Sequence, residues 1–233
     1  MKKKILFPAE LCYVLGIIFL TLGTTFMEKA NLGMSTVVAP AYLLYLKLHQ
    51  IFPNLTLGTV GYLLQGVMLL VMIPTLRRFR IGWLFSFATA VIFGFILDGF
   101  MILLAGIPIY TIWFRILWYS VGIVTCAIGV AFLFHTYLAP EVYDLCVKET
   151  TAKLQKPFGK VKLVYDYTSC AVAIILSFCF FGFGHFEGVK IGTVVCALVN
   201  GHLISFFGRI MDTHLQIKDA LPLRKYFEAG QPA

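Results

Sequence analysis

The sequence predicts an all-α, polytopic transmembrane helical bundle, with six spanning helices plus two short broken or interfacial helices, in a single membrane domain over residues 1–233. Three observations predict it. Hydrophobic residues make up 60% of the chain and charged residues only 13%. A soluble domain carries about 25% charge, and a chain of this size exposes too much surface to hide the excess in one core. Six apolar runs each approach the roughly 20 residues that cross a bilayer. Finally, Lys and Arg divide unevenly between alternate connections, as they do in multi-pass proteins.

The first run covers residues 9–27, after Lys2, Lys3 and Lys4. A basic start before an apolar run resembles a secretory signal. This run continues to about Met27 with no small-x-small site behind it, so a retained helix is expected. A less apolar stretch follows at 34–52, with Pro40, Lys47 and His49. Runs at 58–76, 82–104 and 113–134 come next. The stretch 140–156 then holds Pro140, Glu141, Asp144, Lys148, Glu149, Lys153 and Lys156. Each charge at the bilayer centre costs about 2.5–3.5 kcal/mol on insertion scales, so 34–52 and 140–156 are expected to be short helices that need not cross. Runs at 163–183 and 191–208 complete the six, and 211–233 is expected to be a cytoplasmic tail.

With six crossings and a cytoplasmic N-terminus, fifteen of the nineteen Lys and Arg residues fall inside; Lys29, Lys47, Arg115 and Lys190 fall outside. Were both short stretches to cross, Arg77, Arg78 and Arg80 would move outside. The positive-inside rule therefore favours six crossings with both termini cytoplasmic.

The chain also repeats itself weakly. Residues 14–35 align without gaps on 120–141, pairing Gly16 with Gly122, Ile17 with Ile123, Gly23 with Gly129, Phe26 with Phe132 and Leu32 with Leu138. Ser86 and Gly94 have the spacing of Thr193 and Gly201. Each half reads long, broken, long, long. Three crossings per half turn the second half (about 113–210) upside down relative to the first (about 9–104). Inverted repeats of this kind are typical of secondary transporters, whose broken helices meet near mid-membrane.

Five segments in order carry a resemblance. They are Ala30-Asn31-Leu32-Gly33, LFSFATAVIFGFILDGF (84–100), LAPEVYDLCVKE (138–149), KVKLVYD (160–166) and GVKIGTVVCALVNG (188–201). Together the chain resembles the YczE/YyaS/YitT family of bacterial integral membrane proteins. The resemblance implies a bacterial cytoplasmic (inner) membrane protein and carries over neither a function nor a catalytic residue.

Several polar residues are candidates for a substrate cavity. Asp98 lies about 24 Å along a core of roughly 30 Å; it is either a buried functional carboxylate or an interfacial cap. Lys162 and Asp166, four apart, share a helix face and form either a structural pair or a gated anion or proton site. Glu141 and Asp144 open the second broken helix, where acids meet the positive end of its dipole; they either cap it or relay a cation or proton. Asn200 and His202 flank Gly201 in the last run. Asn200 either bonds across helices or touches substrate, and His202 could add a proton switch. Gln65 is a similar candidate. Gly94 and Gly201 are expected at close helix crossings.

The six cysteines show no metal-ligand spacing or CxxC pair and read as packing residues. Gly182-Phe183-Gly184 forms no phosphate loop, and no GxSxG or HExxH is present. His135, His185 and His214 are scattered, so neither metal nor cofactor is expected. The net charge of +8 reflects topology rather than nucleic acid, since no basic binding motif occurs. The expected function is a small secondary transporter or permease in the lipid bilayer, for an unknown small-molecule or ion substrate. The alternative is a non-transporting membrane partner that regulates or assembles another protein. An enzyme is not expected, because no nucleophile, base and anion hole converge.

Overall fold

A computed structural model describes residues 5–76, 80, 82–108, 110–156, 158–182 and 188–222. Arg77, Arg78, Phe183, Gly184, His185 and the tail beyond residue 222 lie outside the described residues, as do Lys2, Lys3 and Lys4. Among the described residues are eight helices and two short strands: β1 (Ile5–Pro8), α1 (Ala9–Ala30), α2 (Ala39–His49), α3 (Leu57–Leu76), α4 (Gly82–Leu103), α5 (Ile112–Phe134), α6 (Val142–Leu154), α7 (Phe158–Phe181), α8 (Ile191–His214) and β2 (Leu215–Lys218). Six of the helices are long and apolar enough to span a membrane: α1, α3, α4, α5, α7 and α8. The protein is thus a multi-pass membrane protein with two additional short helices.

The last two helices and the segment after them depart most from the sequence reading. α7 begins at residue 158 rather than 163, so Lys162 and Asp166 sit inside it. α8 runs on to His214, which takes the start of the expected tail into the helix. Residues 215–218 then pair in parallel with 5–8, Ile5 opposite Leu215 and Pro8 opposite Lys218. These two strands are too short to show a clear alternation in sequence, and their pairing joins the two ends of the described chain at one face of the bundle. Glu10, at the start of α1, accepts the backbone N–H groups of Ala220 and Leu221 and the Tyr137 hydroxyl there.

The bundle is organised on an α1/α5 crossing. Gly16 lies against the Gly129 carbonyl, and Gly23 against the Gly122 carbonyl. The numbers run in opposite senses, so α1 and α5 are antiparallel. α4 runs parallel to α1, with Tyr13 bonded to Thr89 and Lys29 to the Ala105 carbonyl. α8 runs parallel to α5, with Tyr119 beside Gly192 and His135 bonded to Asp212. Around this frame α3 packs on α4, α7 on α8, α2 on α7 and α3, and α6 on α3 and α7.

The helices place Lys29, Lys47, Arg115 and Lys190 at the same face. Lys29 and Lys47 lie in the last turns of α1 and α2. Lys190 immediately precedes α8 and bonds Asn31 beyond the end of α1. Arg115 lies in the first turn of α5, which is antiparallel to α1. At the opposite face Arg80 pairs with Glu149 at 3.3 Å.

The two short helices start inside the bundle. α1 stops where Asn31 turns left-handed, at φ 52°. Gly33, at φ 123°, then sends the chain back along the start of α8. A side chain at Gly33 would strike Thr193. α2 leaves from this inner segment toward the face where α3 begins. After α5 the chain likewise turns back, and Pro140 and Glu141 open α6 beside Gln65, the ninth of the 20 residues of α3. α6 leaves toward the opposite face, where Glu149 meets Arg80 and Lys153 bonds the Thr75 carbonyl.

Candidate functional site

Glu141 precedes the first residue of α6 in an extended conformation and makes no cap of its own. The cap comes from α3. Gln65 Oε1 accepts the Val142 backbone N–H at 3.0 Å, and Gln65 Nε2 donates to Glu141 Oε2 at 3.2 Å. One amide thus satisfies an orphan donor of the helix start and holds the adjoining carboxylate. Gln65 is 1% exposed and Glu141 4%, and Glu141 Oε1 has no hydrogen-bond partner. Burial, then the neighbouring Asp144 charge, hold the Glu141 carboxyl well above its usual range; the Gln65 amide pulls the other way.

One turn on, Asp144 faces α7. Lys162 Nζ lies 3.7 Å from Asp144 Oδ1 and 3.1 Å from Asp166 Oδ1. All three side chains are buried. Burial raises the Asp144 carboxyl against the lowering pull of the Lys162 ammonium. The Lys162 ammonium also stands 5.8 Å over the Tyr165 ring. Although Asp166 is close to Lys162, neither of its oxygens accepts a well-aligned hydrogen bond. Thr36, fully buried in the segment before α2, turns its hydroxyl toward Asp166 without closing one. The starts of both short helices therefore converge on one buried polar cluster: Thr36 from the first, Glu141 and Asp144 from the second.

Five of the sequence candidates are brought together in this way: Gln65, Glu141, Asp144, Lys162 and Asp166. Asn200 is buried on α8, with its Oδ1 unpartnered. His202 is exposed on the bundle surface and bonds the Leu198 carbonyl of its own helix, so it does not line the cluster. Asp98 accepts the Thr56 hydroxyl at 2.6 Å and the Gly58 N–H at 2.9 Å. It caps α3 from α4, near one face and away from the cluster. Gly94 packs against the Gly58 carbonyl, as a close crossing requires. Gly201 corrects the expectation: a side chain there would meet nothing within 4 Å among the described residues, because this side of α8 packs on none of them.

Thr36, Tyr143, Tyr165 and Cys196 were not singled out from sequence, yet all stand around the cluster. A signal for Thr36 existed. The two aligned blocks end at Ser35 and Glu141, and Thr36 is the next residue. Among the described residues no three His, Cys, Asp or Glu side chains converge where a metal could sit.

Residues 7–209 match a family described as a family of unknown function, DUF6198. No curated protein and no solved structure matches the chain.

Proposed function

The chain belongs to this DUF6198 family of unknown function, and from that premise we propose that it is a small secondary transporter, built as an inverted 3+3 repeat, in a bacterial cytoplasmic membrane. The observation that carries the reading is the pair of short helices, α2 and α6. They start inside the bundle from non-helical segments and leave toward opposite faces, around buried Asp144, Lys162 and Asp166. Irregular backbone at that depth is tolerated where it is enclosed by protein or lines a cavity, and carriers place ion and substrate groups at such half-helix ends.

Two relations support the inverted repeat. Exchanging each helix of the first half for its counterpart in the second (α1 for α5, α2 for α6, α3 for α7, α4 for α8) leaves the main packing pairs unchanged. The α1/α5 contact is also self-complementary, Gly16 on Gly129 and Gly23 on Gly122, as a two-fold axis in the membrane plane requires. The positive-inside rule puts the face bearing Lys29, Lys47, Arg115 and Lys190 outside and both termini in the cytoplasm. The five ordered segments support the narrower likeness to the YczE/YyaS/YitT family. The reading is of a carrier, not an enzyme.

The close backbone packing at the α1/α5 crossing favours the second reading, a non-transporting membrane partner. Reconstitution separates the two. Compounds that raise the thermal stability of the purified protein are tested for entry into proteoliposomes under an ion gradient. Gradient-dependent entry supports the carrier. Ligands that bind but are never moved sink it.

A further inference from the structure

Asp144, Lys162 and Asp166 bring two carboxylates and one ammonium into a space where they are 5%, 2% and 1% exposed. With all three ionised the cluster carries one net negative charge. An uncompensated charge is strongly disfavoured in a dry interior. The Lys162 ammonium serves both acids, at 3.1 and 3.7 Å, and fully satisfies neither. A second observation concerns the carboxylate itself. Thr36 is buried, with an unpartnered hydroxyl turned toward an Asp166 carboxylate that accepts no aligned hydrogen bond. A hydroxyl there suits a carboxyl that changes between acceptor and donor, because it can both give and take a hydrogen bond.

We propose that Asp144, Asp166, Lys162 and Thr36 form a proton-binding site that takes up one proton on a carboxylate oxygen. Resting on the carrier reading above, this makes the cluster its coupling-ion site. The proton comes from water, binds Asp166 or Asp144, and brings the cluster from one net negative charge to none; no other bond forms or breaks. Lys162 then keeps the remaining carboxylate as its partner, so protonation loosens one of its two links, between α7 and α6 or within α7. That is how charge at the cluster would be felt at the start of both short helices. A proton fits better than a metal ion, since among the described residues only two carboxylates meet at Lys162, whose ammonium already stands between them.

Other groups face the cluster. α6 brings Tyr143, Cys146 and, at its start, Glu141; α7 brings Tyr165; α8 brings Cys196, with Cys170 of α7 beside it. The basic residues of α2, Lys47 and His49, stand in its last turn. Glu141 is the carboxyl most easily confused with the site, so the test must tell it apart.

The test is infrared difference spectroscopy of the purified full chain during a pH jump. Besides a band from Glu141, which Glu141→Gln identifies, the wild type should gain a second buried protonated-carboxyl band on acidification. Asp144→Asn or Asp166→Asn should remove that band, while Glu141→Gln should leave it. Thr36→Val keeps every charge and should shift the band and change its apparent proton affinity about fivefold, the scale of one ordinary hydrogen bond made in the protonated state alone. The absence of any band that the Asn variants remove overturns the proposal, as does a spectrum in which every buried-carboxyl band vanishes with Glu141→Gln. If the Asn variants do not fold, an unchanged band in Thr36→Val overturns it. Sodium or potassium at fixed pH should not raise the melting temperature; a saturable rise lost in Thr36→Val would assign the site to an alkali ion and overturn the proton. The spectrum reports proton uptake and not flux, so a band that behaves as expected, beside ligands that bind but are never moved in proteoliposomes, would remove only the carrier reading.

Discussion

Gly23 of α1 lies so close to Gly122 of α5 that a Cβ on Gly23 would stand 2.7 Å from the Gly122 carbonyl oxygen and 2.6 Å from the Cys126 amide nitrogen. In lipid no hydrophobic force drives helices together, and small residues let their backbones approach. The aligned pairs Gly16/Gly122 and Gly23/Gly129 therefore mark the place where the two halves meet. Each glycine packs on the partner of the other.

Gly23→Leu should overpack this crossing and cost about 1–3 kcal/mol or more. Gly201→Leu should change stability little, since its side chain would enter open space. Thermal unfolding of both variants in detergent checks this. A Gly201→Leu loss equal to that of Gly23→Leu would show that α8 has a neighbour on that face.

Gln65→Leu should destabilise by about 1–3 kcal/mol, the cost of leaving buried polar groups unpaired. It strands the Val142 N–H and removes the bond to Glu141. Gln65→Glu keeps the acceptor for Val142 but sets a second acid against Glu141, so it should be tolerated best at low pH. Unfolding curves indistinguishable from wild type for both variants would dissolve the link between α3 and α6.

Glu141 should make stability fall as pH rises. Burial holds its carboxyl above the unfolded value. A raised acid contributes stability fully present below the unfolded value, about 4.3, and lost as pH rises through the folded one. Glu141→Gln should therefore gain on wild type toward alkaline pH. Melting temperatures of the two proteins across a pH series test the sign; parallel curves would reject it.

Topology follows from the two faces. In intact cells and a background without native cysteines, Lys47→Cys should react with an impermeant thiol reagent added outside, while Lys153→Cys should not. Lys153 is exposed and Lys47 half-buried, and they lie at opposite ends of the bundle. Labelling of Lys153→Cys from outside would reverse the orientation.

The sequence by itself determined the membrane class, the six long helices and the two short ones. Those follow from apolar length and from the cost of charge in lipid, which are local and additive along the chain. It also flagged Lys162 with Asp166, because a spacing of four on one helix is a contact by geometry alone. Only the tertiary structure decided what these acids face. Asp144 meets Lys162 and Gln65 reaches Glu141 across separate helices, and Thr36 arrives through a turn made at Asn31 and Gly33. The same holds for Asp98, Gly201 and His202. Polar or small residues in an apolar run read alike in sequence, and packing alone makes one a cap, one an open face and one a surface side chain. The strands 5–8 and 215–218 are the extreme case. Their pairing spans nearly the whole chain, and four residues are too few to announce it.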